Sequence, residues 1–182
     1  MINVRIAVVG GVLCAVAGCS GTTAPAADAP GSSGVRSDAD LFRLVTQSDP
    51  FTQYTVFPRV EEFATGRLNG SEAHAPVVRV TLNATAAGAL VDGRLPAGRT
   101  FPDGAVVFKE VRPSATAAPT LYVIMVKDST NGAAGQGWLW AEYTPTGATA
   151  YSVDRRGGAC ISCHSREAGP QRDLVRTFER QQ

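Results

Sequence analysis

Four runs of residues constrain the fold most strongly: VVRVTLN at 77–83, GAVVFKEVR at 104–112, TLYVIMVKD at 120–128 and GWLWAEYTP at 137–145. Each is rich in β-branched and aromatic side chains and is bounded by Gly, Pro, Asp or Asn, which marks strands separated by turns. The linkers between the last three are short and rich in Gly, Ala, Pro, Ser and Thr. They leave no room for a crossover helix, so neighbouring strands run antiparallel. Helical signals lie outside these runs. SDADLFRLVTQ offers Ser37 as an N-cap, early acids, and Leu41, Leu44 and Val45 at helical spacing. Asn83 is placed to cap a short helix over ATAAGALV. A turn around CISCHS leads to a last helix over RDLVRTFER, after Pro170. The expected class is α+β, a mainly antiparallel sheet with peripheral helices and a functional helix near the C-terminus.

The chain before this domain reads differently. Arg5 and an apolar run from Ile6 to Val16, too short to span a bilayer, form an export signal over 1–18. Val16-Ala17-Gly18-Cys19 is similar to a bacterial lipobox, which makes Cys19 the lipidation site. Residues 19–37, low in large apolar side chains, form a flexible tether, and the domain proper covers 38–182. The expected location is a bacterial membrane surface facing the periplasm or the exterior, reached through the lipid anchor alone. The formal net charge is +1, so nucleic acid is not an expected partner.

Of four cysteines, Cys14 falls in the signal and Cys19 carries the lipid. Only Cys160 and Cys163 remain in the domain, followed directly by His164. Three chemistries share a C-x-x-C-H pattern. Zinc in a closed site takes four ligands, and the only other histidine is His74. A thioredoxin-like pair opens a helix after an early strand of a βαβ unit, whereas this pair sits at the far end of the chain. A structural disulfide needs no histidine. Covalent haem c needs two thiols for the two vinyl groups and a histidine for the iron, and it matures outside the cytoplasm. Motif and export signal agree on haem c held by Cys160 and Cys163, with His164 as the iron ligand.

A second axial ligand would come from Met125, in the middle of a strand, or His74, in a loop. Core and surface roles are the ordinary ones for such residues, which favours an open position on the iron. In the strand 104–112, Lys109 stands between Val107 and Val111 on one face. Lys109 and Lys127 are the only lysines among 17 basic residues. A lysine in this position is either a solvated edge residue or an amine facing a pocket, able to lose its proton and bond covalently.

The segment FPDGAVVFKEV, followed by CISCH, resembles the cytochrome P-460 family, whose relatives include cytochrome c′-β. SEAHAPVVRVTLNATA and GWLWAEYTP fit the same pattern, and the similarity covers about residues 38–180. The resemblance implies an antiparallel sheet with helices, often dimeric, so that a homodimer is among the expected assemblies. It implies that Lys109 is linked to the haem macrocycle and that the protein oxidises hydroxylamine or related small nitrogen species, passing electrons to a redox partner protein. Glu142, alternating with Trp138 and Trp140, stands for the distal carboxylate. Arg79 orients a ligand, holds a water that takes protons, or pairs with a haem propionate. The c′-β members lack the link and bind nitric oxide. That alternative would use Phe101 or Phe108 as apolar cover, and a tethered electron carrier would use Met125 or His74 as sixth ligand.

Overall fold

The computed structural model describes residues 34–35, 37–167 and 172–182. The export signal, Cys19, most of the tether and Pro170 lie outside the described residues. Among the described residues no helix is long and apolar enough to cross a membrane.

The first helix, α1, spans Asp38–Arg43, and Ser37 caps it as expected, its hydroxyl accepting from the Asp40 N–H at 3.2 Å. A wider helical turn continues it through Leu44–Ser48. Two short strands follow, β1 (Thr55–Val56) and β2 (Ala64–Thr65). Both pair with β3 (Val77–Leu82), one near each of its ends. Then come α2 (Ala84–Gly88), β4 (Val106–Arg112), β5 (Leu121–Lys127), β6 (Trp138–Tyr143) and β7 (Thr149–Tyr151). The seven strands form one antiparallel sheet in the order β1-β3-β4-β5-β6-β7, with β2 beside β3. The four long strands are those expected, within two residues at each end. β1, β2 and β7 are too short to carry a periodic signal.

Both faces of the sheet are covered. On one, Val106, Phe108, Ile124, Leu139 and Tyr143 pack with Leu41 and Val45 of the N-terminal helical segment. On the other, Val80, Val107, Met125 and Trp140 pack with Ala86 of α2 and with Leu174, Val175 and Phe178 near the C-terminus. Two-sided burial explains why the strands read as nearly continuous apolar runs. It also makes Lys109 and Glu110, adjacent charges in the middle of β4, stand out. Glu110 faces the α1 side and is neutralised by Arg79 at 3.3 Å and Arg112 at 2.8 Å. Lys109 faces the other side.

The C-terminal segment differs from expectation. CISCHS is a helix, α3 (Gly158–His164), and not a turn. The expected helix over RDLVRTFER is only a short 3₁₀ stretch, Arg176–Arg180. Asp173 and Leu174 have φ of +50° and +67°, left-handed values that no right-handed helix can pass through.

Asn83 ties three elements together. Its Oδ1 accepts from the Ala86 and Val106 N–H groups, and its Nδ2 donates to Asp49 and the Gly104 carbonyl, all within 3.0 Å. It caps α2 as expected, although the helix stops at Gly88. Asn83→Ala leaves two buried N–H groups unpaired and is expected to cost about 3 kcal/mol. A urea melt should show a lower midpoint with unchanged slope.

Candidate haem site

Cys160, Cys163 and His164 sit at i, i+3 and i+4 of α3, so one face of a single helix presents all three. That face opens on a cavity of about 230 Å³. Its walls come from the sheet (Val123, Met125, Trp140, Glu142), from Tyr151, and from His74 in the loop before β3. Arg176 and Arg180 close it from the C-terminal segment.

Gly157 seats α3. Its φ is +69°, and a Cβ there would strike the Trp140 ring. The same ring meets His164 edge-on, with centroids 4.9 Å apart. Gly157→Ala combines left-handed strain with an overpacked contact and is expected to cost about 2–4 kcal/mol. It should also lower the fraction of chains that retain haem, measured by absorbance per mole of protein.

His164 is prepared as a ligand. Its Nδ1 lies 2.7 Å from the Leu174 carbonyl, which can only accept, so the ring proton is on Nδ1 and Nε2 keeps its lone pair. Burial, followed by the positive charge of Lys109, lowers its pKa to about 3, so the imidazole is neutral. Cys160 and Cys163 are free thiols, not joined in a disulfide. Burial and the nearby Glu142 raise the Cys160 thiol to about 11. Arg176 donates to the Cys163 sulfur at 3.1 Å while held by Glu179 at 2.7 Å.

Directly paired strand residues form a row across the sheet: Val80, Lys109, Val123, Glu142 and Tyr151. Lys109 and Glu142 therefore share the face that bears the cavity. Among the described residues the Lys109 ammonium has no carboxylate within bonding distance. Its Nζ instead lies 2.9 Å from His74 Nδ1, and His74 Nε2 lies 3.7 Å from Glu142. Burial, then Arg180, lowers Lys109 to about 8, while Glu142 opposes the shift. His74 is lowered in turn, first by Lys109 and then by burial.

The structure thus gathers Glu142, Cys160, Cys163 and His164 around one cavity, and it adds His74 and Met125, whose ordinary readings were surface and core; Lys109 touches this group through His74. It does not bring Arg79 there. Arg79 alternates with Val80, so it projects from the opposite face, where it pairs with Glu62 at 2.9 Å and with Glu110. The expectation that Arg79 orients a ligand or meets a propionate is corrected on that ground. Phe108 is also on the far face, stacked on Phe51, and Phe101 packs on Trp138 and Phe178 behind the cavity. Trp140, Tyr151, Arg176 and Arg180 were not singled out from sequence. Only the alternation of Trp140 with Glu142 could have marked one of them.

Two unpaired thiols, a neutral imidazole with a free Nε2 and a largely apolar wall fit a covalently attached haem. Among the described residues no three His, Cys, Asp or Glu side chains converge as a site for a bare metal ion. Fold and site together suit a haem protein of the c type built on a β-sheet. The sequence pattern of the family described as Cytochrome P460 matches residues 71–177, from the His74 loop to the start of the last 3₁₀ stretch, and the chain belongs to that family. A search of curated proteins returned no match.

Proposed function

We propose that the protein is an exported haem c lipoprotein that oxidises hydroxylamine or a related small nitrogen species. The observation that carries this reading is the placement of His74 and Glu142 on the same cavity as Cys160, Cys163 and His164, with the Lys109 amine 2.9 Å from His74 behind that wall. Cys160 and Cys163 would hold the haem as thioethers, their S–H groups adding across its two vinyl groups without need of an oxidant, and His164 would offer Nε2 to its iron. The haem, when bound, provides a redox-active iron with a position open to a small nitrogen ligand.

The residues around it manage protons and polarity. Oxidation of hydroxylamine releases protons, and Glu142 is the carboxylate on the cavity wall that can accept them. His74, between Glu142 and Lys109, offers an exit from the cavity. Lys109, with its ammonium disfavoured by burial, would supply the amine of a link to the macrocycle, a bond that replaces an N–H and a ring C–H and so also requires an oxidant of the peroxide class. Electrons then pass to a redox partner protein, and the lipid on Cys19 keeps the domain at the membrane. A homodimer belongs to the same reading.

A second reading, capture of nitric oxide without turnover, is favoured by the apolar wall of Val123, Met125, Trp140 and Leu68. The reduced protein, made in a bacterium that matures haem c, separates the two. A Soret band far to the red together with hydroxylamine turnover supports the enzyme. An ordinary high-spin haem c spectrum without turnover overturns it in favour of gas binding. A low-spin spectrum would point to a sixth ligand from Met125 or His74 and to electron transfer.

A further inference from the structure

The turn after α3 is built unusually for the task it performs. Its Leu174 carbonyl holds His164 Nδ1, yet Asp173 and Leu174 are consecutive non-glycine residues in the left-handed region. Such a turn does not hold its shape on local preference alone. A buried ion pair is fastened to it. The Asp173 carboxylate accepts from Lys127 Nζ through Oδ1 at 2.9 Å and from the Phe101 N–H through Oδ2 at 2.9 Å. Both partners are 7% exposed. Lys127 ends β5, its backbone bonded to Ala105 and Gly104 at 2.8 Å, and its ammonium lies 5.0 Å from the centre of the Trp138 ring. The sheet therefore reaches through Lys127 to grip the turn, and the turn grips the imidazole.

We propose that the Lys127–Asp173 pair is a positioning device for His164, clamping the left-handed turn so that the Leu174 carbonyl stays on Nδ1. This rests on the reading of His164 as the iron ligand. A carbonyl held on Nδ1–H fixes the ring orientation and raises electron density at Nε2, which favours the oxidised iron and lowers the reduction potential. A pair with only a structural role would be replaceable by uncharged residues without effect on the iron.

The test is the reduction potential of the haem-loaded Lys127→Met/Asp173→Asn protein, a change that leaves net charge unaltered and keeps an acceptor for Phe101. Expected are covalent haem as in the parent, a lower melting temperature and a higher potential. In Lys127→Met/Asp173→Gly the glycine takes the left-handed conformation unaided, and the potential is expected to return toward the parent value. A parent-like potential in the Asn variant overturns the proposal, as does an equal rise in the Gly variant. Should the Asn variant fail to fold, Lys127→Gln, which carries no charge to pair with Asp173, is measured instead. A rise supports the clamp and no change overturns it. A haem-loaded His164→Gly protein with the parent's absorption spectrum would overturn the ligand assignment instead of the clamp.

Discussion

Replacing Cys160 and Cys163 together by serine is expected to remove all haem held through thioethers, so that only haem linked through Lys109 could survive denaturation. The two thiols are the only cysteines of the domain and lie on one face of α3, both lining the cavity. A serine hydroxyl does not add to a vinyl group, so neither thioether can form. Serine is close in size to cysteine, and both positions are only partly buried, so the fold is expected to persist within about 1 kcal/mol. The single variants, each keeping one thioether, should retain haem in smaller amount. Haem staining of a denaturing gel reads the result directly. Haem that remains on the denatured double variant would mean attachment through another residue, with Lys109 the first to examine.

Legibility in the sequence followed the length and periodicity of each signal. The four long strands and their antiparallel order were readable because eight or so β-formers between turn residues have few other solutions. The cap at Ser37 and the cap at Asn83 were readable because side-chain capping is local chemistry. The C-terminal segment was not, since RDLVRTFER has helical composition and only tertiary contacts hold Asp173 and Leu174 in left-handed conformations. The attachment residues carry their own pattern in C-x-x-C-H. Arg79 shows the opposite case. Its position in a strand next to the Lys109 strand was correct, but the pairing of Val80 with Lys109 sends Arg79 to the other face. His74 and Arg180 enter the site from loops and termini, where spacing along the chain says nothing about distance in space.

The contrast between Glu110 and Lys109 leads to the second large effect. Both interrupt the apolar run of β4. Glu110 is buried with two arginines on its carboxylate, whereas Lys109 has only a histidine on its ammonium. Burial therefore lowers the Lys109 pKa from 10.5 to about 8. In the unfolded chain the lysine holds its proton up to about pH 10.4. Between these values the unfolded chain binds more protons than the folded one, so stability rises with pH. Below about pH 8 both states are protonated and the penalty of the buried charge is felt in full. Lys109 by itself is thus expected to add stability to the haem-free protein from pH 8 upward, by as much as about 3 kcal/mol over the full window. The gain is partly offset, because burial raises the Cys160 thiol to about 11 and raises Tyr54, Tyr122 and Tyr143, so that ionisation of the thiol above about pH 8.5 and of the phenols above about pH 10 favours the unfolded chain. Lys109→Met removes the buried charge. Urea midpoints at pH 7, 8 and 9 should rise for the parent relative to the variant, which starts out more stable at pH 7. Parallel curves for the two proteins would mean that Lys109 keeps an ordinary ammonium in the fold, and with it would go the argument that this side chain is held ready as a free amine facing the haem.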